Sequence, residues 1–147
     1  MVIAFCIALL ILTTIIHYEV LRGLSVTLPK LDIPPRSKLI IVIFTTFLAH
    51  TLEILLYALT VYALVRYTGL GRLEDTEKFS FDICFYFSAE TFTSLGYGDI
   101  VPGHNLRLLA GVEALNGLLL IGWSASYIYI AMERFWNQTM KRSNIRD

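Results

Sequence analysis

Three stretches of this 147-residue chain, 1–21, 39–65 and 108–132, are nearly free of charge and rich in aliphatic and aromatic residues. A helix needs roughly 20 mostly apolar residues to cross ~30 Å of hydrocarbon at ~1.5 Å per residue, and each stretch is long enough. Lipid offers no partner to backbone N–H and C=O groups, so such a chain folds as helices that satisfy those groups internally. Composition agrees, with 56% hydrophobic and 16% charged residues and a mean hydropathy of +0.63, which excludes an ordinary soluble domain. The expected fold class is an all-α membrane protein. The first stretch lacks a basic start and a small-residue cleavage site, so it reads as a helix and not as a secretory signal. No internal repeat is visible, and no separate soluble domain is expected.

Net charge is zero, which argues against nucleic acid as a partner; the placement of the charges is more informative. The first connection carries Arg22, Lys30, Arg36 and Lys38 against Asp32, and the tail carries Arg134, Lys141, Arg142 and Arg146. The second connection mixes Arg66, Arg72 and Lys78 with Glu74, Asp75, Glu77 and Asp82. The bias of basic residues puts the first connection and the C-terminus in the cytoplasm and the N-terminus outside. Phe135 and Trp136 suit an interfacial belt at the inner end of the third span. Cys6 and Cys84 are too few and too apolar in setting for a disulfide framework or a metal site, and read as packing residues.

Between the second and third spans, "KFSFDICFYFSAETFTS" is apolar over about a dozen residues, too short to cross and suited to a re-entrant helix. Ser80 is placed to cap its start, Asp82 puts an acid in its first turn, and the helix should stop near Thr93. "TSLGYGDIVP" follows, with Gly96 and Gly98 on either side of a tyrosine. Irregular backbone at membrane depth survives only inside protein or along a wet cavity. The segment therefore describes a helix that dips in, then an extended loop facing water or ions.

These residues resemble the pore loop and inner helix of the potassium channel family, in a small bacterial-type form with an extra N-terminal helix. The resemblance runs from about the second span onward and rests on GYGD-x-V-P after a short helix between two spans. It implies three transmembrane helices plus a re-entrant pore helix and filter loop, assembled as a homotetramer in the bacterial inner membrane. The implied organisation is an extra helix at 1–21, a cytoplasmic connection at 22–38 and a pore domain at 39–147. That domain would hold an outer helix 39–66, a pore helix 81–93, a filter 94–98, an inner helix 106–135 and a short tail. Backbone carbonyls of Ser94, Leu95, Gly96 and Tyr97 would replace the hydration of K+, with the Ser94 hydroxyl adding the innermost ring. Gly96 and Gly98 would take dihedrals closed to other residues so that successive carbonyls share one axis. No cofactor is implied beyond K+ in the filter, and no enzymatic activity. Against the family's T-V-G-Y-G, Ser94 replaces threonine and Leu95 replaces valine, the latter enlarging the side chain expected behind the filter.

Proton-gated bacterial members of that family carry ETATTVGYGD where this chain has ETFTSLGYGD. That likeness makes Glu90 and Asp99 a carboxyl pair sharing a proton behind the filter, with Tyr86 and Phe87 as an aromatic cuff and the Tyr86 hydroxyl in reach of Asp99. The other reading makes Glu90 a structural acid.

In the third span Gly117 and Gly122 suit either a hinge or close packing, the role also expected of Ala110, Gly111 and Ala114. Glu113, Asn116, Leu120 and Ser124 share one helical face, which either lines the cavity or turns to a neighbouring helix. His50 and Glu53, one turn apart in the second span, read either as a proton sensor or as a hydrogen-bonded tie to the first span through Thr13 or Thr14. His17 and Glu19 are expected nearer the cytoplasmic interface. No span carries regularly spaced arginines, so no voltage sensor is expected, and the tail is too short for a ligand-binding domain. Lipids, or a separate regulatory subunit, are then the remaining partners. Three alternatives stand beside a K+ channel: a weakly selective cation pore, a non-conducting channel-like subunit, and a membrane metalloenzyme on His17, Glu19, His50, Glu53 and Glu113.

Overall fold

The structure is a computed structural model that describes residues 2–69, 71–74, 79–103 and 105–143, with side chains through Trp136. Asp75, Glu77, Lys78, His104 and Arg146, and the side chains of Lys141 and Arg142, lie outside the described residues. The chain is mostly helical. Helix α1 (Val2–Thr27) passes through a single 3-10 turn, Leu28–Lys30, into α2 (Pro35–Ala63). A short helix α3 (Phe81–Phe92) and a long α4 (Leu106–Ser143) follow. Two two-residue strands, β1 (Leu73–Glu74) and β2 (Val101–Pro102), pair antiparallel with Leu73 opposite Pro102. The spans Val2–Lys30, Pro35–Thr68 and Leu106–Trp136 are long and apolar enough to cross a membrane.

Local chemistry explains most of the boundaries. α1 outruns the expected end at residue 21 because nothing between Arg22 and Thr27 breaks a helix, and Arg22 pairs with Glu19 at 2.8 Å one turn back. The stop is enforced only at Pro29. Pro34 is extended and Pro35 takes the first helical position of α2, where a missing N–H costs nothing. α2 ends in a wide π-type turn, Leu64–Thr68, closed by Gly69 in the left-handed region at φ 61°. Ser80, extended at φ −146°, holds the N-cap position of α3, but its hydroxyl serves Asp82 and not a backbone amide.

α1, α2 and α4 pack against one another, and α3 wedges between α2 and α4. Their buried apolar side chains form two clusters. One gathers Leu9, Tyr57, Val61, Phe87, Phe92 and Leu109 around α3. The other joins Leu21, Leu24, Leu28, Val42, Ala131 and Phe135. Phe135 is therefore a core residue, while Trp136 is exposed. Cys6 and Cys84 are free and buried, as packing residues would be. Buried Thr13, His17, Thr46, Glu53, Asn116 and Ser124 form a polar layer on the same three long helices.

Candidate ion-conducting site

α3 delivers the chain directly into the glycine loop. At its end the Thr93 amide donates to the Ala89 carbonyl at 3.2 Å, the Ser94 amide to Thr91 at 3.0 Å, and the Leu95 amide to Glu90 at 3.0 Å. The Tyr97 amide then donates to the Glu90 carboxyl Oε1 at 3.0 Å. In a trans peptide the carbonyl of the preceding residue points opposite to the N–H. With the amides of Ser94, Leu95 and Tyr97 turned toward α3, the carbonyls of Thr93, Ser94 and Gly96 point away from it, to the open side. Positive φ recurs at every second residue: Ser94 at 57°, Gly96 at 53° and Gly98 at 80°. Alternating left- and right-handed residues gathers amides on one face of the backbone and carbonyls on the other. Ser94 is the one described non-glycine residue with positive φ. That conformation is hardest on β-branched side chains, so serine suits it better than the family's threonine.

The loop as a whole is uncovered in the single chain, residues 93–99 all being exposed. Leu95 is 59% and Tyr97 71% exposed. The Leu95 side chain finds little cover among the described residues of its own chain.

Behind the loop, Glu90 is buried and Asp99 is exposed. No hydrogen bond joins these two carboxyls among the described residues. Glu90 instead accepts the Tyr97 amide, and the Tyr86 hydroxyl donates to Asp99 Oδ2 at 3.0 Å. Two ties thus run from α3 to the loop, and the Tyr86 hydroxyl stands between the two carboxyls, facing both Asp99 and Glu90. Of the expected cuff, Tyr86 makes such a tie while Phe87 lies in the apolar cluster around α3.

The polar face of α4 turns inward, the second of the two alternatives. Asn116 Nδ2 donates to Thr13 Oγ1 at 2.7 Å and to the Tyr57 hydroxyl at 3.1 Å, fastening α4 to α1 and α2. Glu113 is fully buried next to the Ser88 hydroxyl, and among the described residues neither its carboxyl oxygens nor that hydroxyl completes a well-formed hydrogen bond. As a cavity-lining pair, Glu113 and Asn116 are therefore corrected: each faces protein of its own chain. Gly117 makes a close approach, since a Cβ there would lie 2.0 Å from the Phe92 carbonyl oxygen. Gly111 and Gly122 have nothing within 4 Å of such an atom. Packing thus accounts for Gly117, and Gly122 alone of the two remains free to bend.

His50 and Glu53 join a four-residue ring. Glu53 Oε1 lies 2.9 Å from His17 Nδ1 and its Oε2 lies 2.9 Å from His50 Nδ1. Ser124 Oγ closes the ring, 3.0 Å from His50 Nε2 and 3.2 Å from His17 Nε2. The tie from α2 to α1 therefore runs through His17, not Thr13 or Thr14. His17 is fully buried within the protein, whereas Glu19 is exposed and bonded to Arg22. Its helical face, shared with Thr13 and Leu21 at steps of four residues, was the available signal.

The described geometry suits the passage of a cation along a backbone, and comparison with known proteins bears on it. Residues 40–134 match the model of a family described as ion channel. Over 63 residues, 42% of this chain, the sequence is 36% identical to the inward rectifier potassium channel Kirbac3.1 of Paramagnetospirillum magnetotacticum. Over 85 residues, 57% of this chain, it is 28% identical to the potassium voltage-gated channel protein Shal of Drosophila melanogaster. The matched stretches cover 21% and 15% of those proteins, so the likeness concerns a fraction of each. No solved structure matches. The match over most of the chain, on three helices apolar enough to span a bilayer, makes this a membrane protein that belongs to the ion channel family.

Proposed function

We propose that four copies of this chain assemble about a four-fold axis and conduct K+ passively through rings of carbonyl oxygens from Ser94, Leu95, Gly96 and Tyr97. The reading is carried by one observation: three loop amides are committed to α3 and its Glu90, with positive φ at alternate residues beyond, so that oxygens collect on the side of the loop away from α3. A dehydrated cation needs several such oxygens at each level and one chain supplies one, hence the tetramer. The exposure of Leu95 and Tyr97 in the single chain gives neighbouring copies a surface to cover. Two relatives named as potassium channels support the choice of ion. In this reading Glu90 and Tyr86 brace the loop through Tyr97 and Asp99, Gly122 is the bending point of α4, and the N-terminus lies outside a bacterial inner membrane with the C-terminus in the cytoplasm.

The test is reversal potential and flux in liposomes under opposed K+ and Na+ gradients, with Ba2+ block and Gly96→Ala as controls. A K+ reversal potential, blocked by Ba2+ and abolished by Gly96→Ala, is expected. Equal permeability to both ions would replace this reading with a weakly selective cation pore; silence in both would favour a non-conducting subunit.

A further inference from the structure

We infer that His17, His50 and Glu53 form a binding site for a first-row transition dication of the zinc class, which staples α1 to α2. The ligand atoms of these residues all lie within 4.8 Å of one another. The site is built from helices and not from loops: His50 and Glu53 are one turn apart on α2, and His17 faces them from α1. Both imidazoles offer Nδ1 to the same carboxylate across 2.9 Å. For an ion about 2.05 Å from each donor, a 2.9 Å edge corresponds to an angle of about 90°, within the range such ions accept. Two donors on one tetrahedral ion lie about 3.3 Å apart, so bringing the two imidazoles onto it requires at most about 1.5 Å of convergence from the 4.8 Å limit.

The surroundings point the same way. Coordination through Nδ1 leaves each ring its proton on Nε2, and both Nε2 atoms lie on Ser124 Oγ, whose two lone pairs can accept both. A serine on α4 thereby orients both ligands and extends the staple to a third helix. The donor set of two nitrogens and a carboxylate selects zinc, cobalt or nickel over calcium and magnesium, which prefer oxygen. One carboxylate leaves a unit of positive charge on a dication. The half-buried His50, 18% exposed, marks where a fourth ligand such as hydroxide would enter and neutralise it. Glu113 adds no ligand, because it sits three helical turns from Ser124 on α4. Metal binding at this site does not require conduction.

Full-length protein purified without a polyhistidine tag is titrated with Co2+, followed by visible absorption, then with Zn2+ as competitor. One Co2+ per chain with nitrogen and oxygen ligation is expected, displaced by Zn2+ and unaffected by His104→Ala. His17→Gln and Glu53→Gln should each weaken binding a hundred-fold or more, and Ser124→Ala about ten-fold. No spectral change in the wild-type protein, binding that survives both donor substitutions, or a thiolate charge-transfer band from Cys6 or Cys84 would overturn the assignment. Should the donor variants fail to fold, X-ray absorption of the zinc-loaded wild type decides: two imidazoles with oxygen support the site, and one imidazole or any sulfur removes it.

Discussion

Replacing Gly117 by alanine separates close packing from hinge bending. The added Cβ would lie 2.0 Å from the Phe92 carbonyl oxygen, 2.8 Å from its carbonyl carbon and 2.9 Å from its Cγ. Two of these atoms are backbone, so no rotamer change relieves the contact; α3 must shift against α4. Overpacking of this kind costs about 1–3 kcal/mol, and contact with main chain belongs at the upper end. Alanine's better helix propensity returns about 1 kcal/mol. The net loss is then about 2 kcal/mol, or about thirty-fold in the unfolding equilibrium. Gly122→Ala supplies the control: with nothing within 4 Å of its Cβ, it should gain up to about 1 kcal/mol from propensity alone. Denaturant unfolding of both variants in the same micelles, followed by circular dichroism, measures the difference. A Gly117→Ala protein as stable as wild type would refute the packing argument, and a change confined to channel opening would return Gly117 to the role of a hinge.

Three further outcomes follow from the same contacts. Glu90→Ala removes the acceptor of the Tyr97 amide and should hasten passage of the loop into a non-conducting state, while Glu90→Gln, which keeps an acceptor oxygen, should lie closer to wild type; unchanged sustained current at steady K+ in the alanine variant sinks this expectation. Asn116→Leu severs the bonds to Thr13 and Tyr57 and should cost about 1–3 kcal/mol in denaturant unfolding, with an unchanged midpoint counting against it. A hydrogen bond from Ser80 holds the Asp82 carboxyl below its ordinary range, so the stability it adds is present above that ordinary value and lost as pH falls through the depressed one. Ser80→Ala should bring the Asp82 titration, followed by carboxyl-carbon NMR, back up toward an ordinary aspartate, and an unmoved titration would assign the shift to the backbone amides instead.

What the sequence made legible is what local chemistry decides. Ser80 and Thr93 bracket α3 at the expected places, and the spacing of Gly96 and Gly98 called for the positive φ both adopt, whereas α2 starts at Pro35, ahead of the expected residue 39, because proline suits the first helical position. Partners across helices were not legible. α1 is apolar almost all round, so only Thr13 and His17, four residues apart, hint at an inward face, and nothing local names Glu53, 36 residues away, as the partner of His17. The inward turn of Asn116 and Ser124 was visible only as one of two alternatives, because a shared face says which residues go together and not what they meet. Ser94 at φ 57° was missed for a related reason: serine carries no local demand for that conformation, which the ties of the loop to α3 impose.

The polar layer supplies what apolar packing in a membrane cannot. Lipid tails are as apolar as leucine, so burying Leu9 or Val42 against another helix hardly distinguishes one register from another. Thr13, Tyr57 and Asn116 do distinguish them, since a slip of one turn would strand their hydrogen-bonding groups in hydrocarbon. Asn116 is followed at once by Gly117, whose missing side chain admits the Phe92 carbonyl two residues before Ser94. One turn of α4 therefore sets both where α1 and α2 sit and how closely the end of α3 can approach, and the backbone of the loop inherits its position from that turn. The extra helix, remote from Ser94 in sequence, is by this contact chain part of what holds the loop in place.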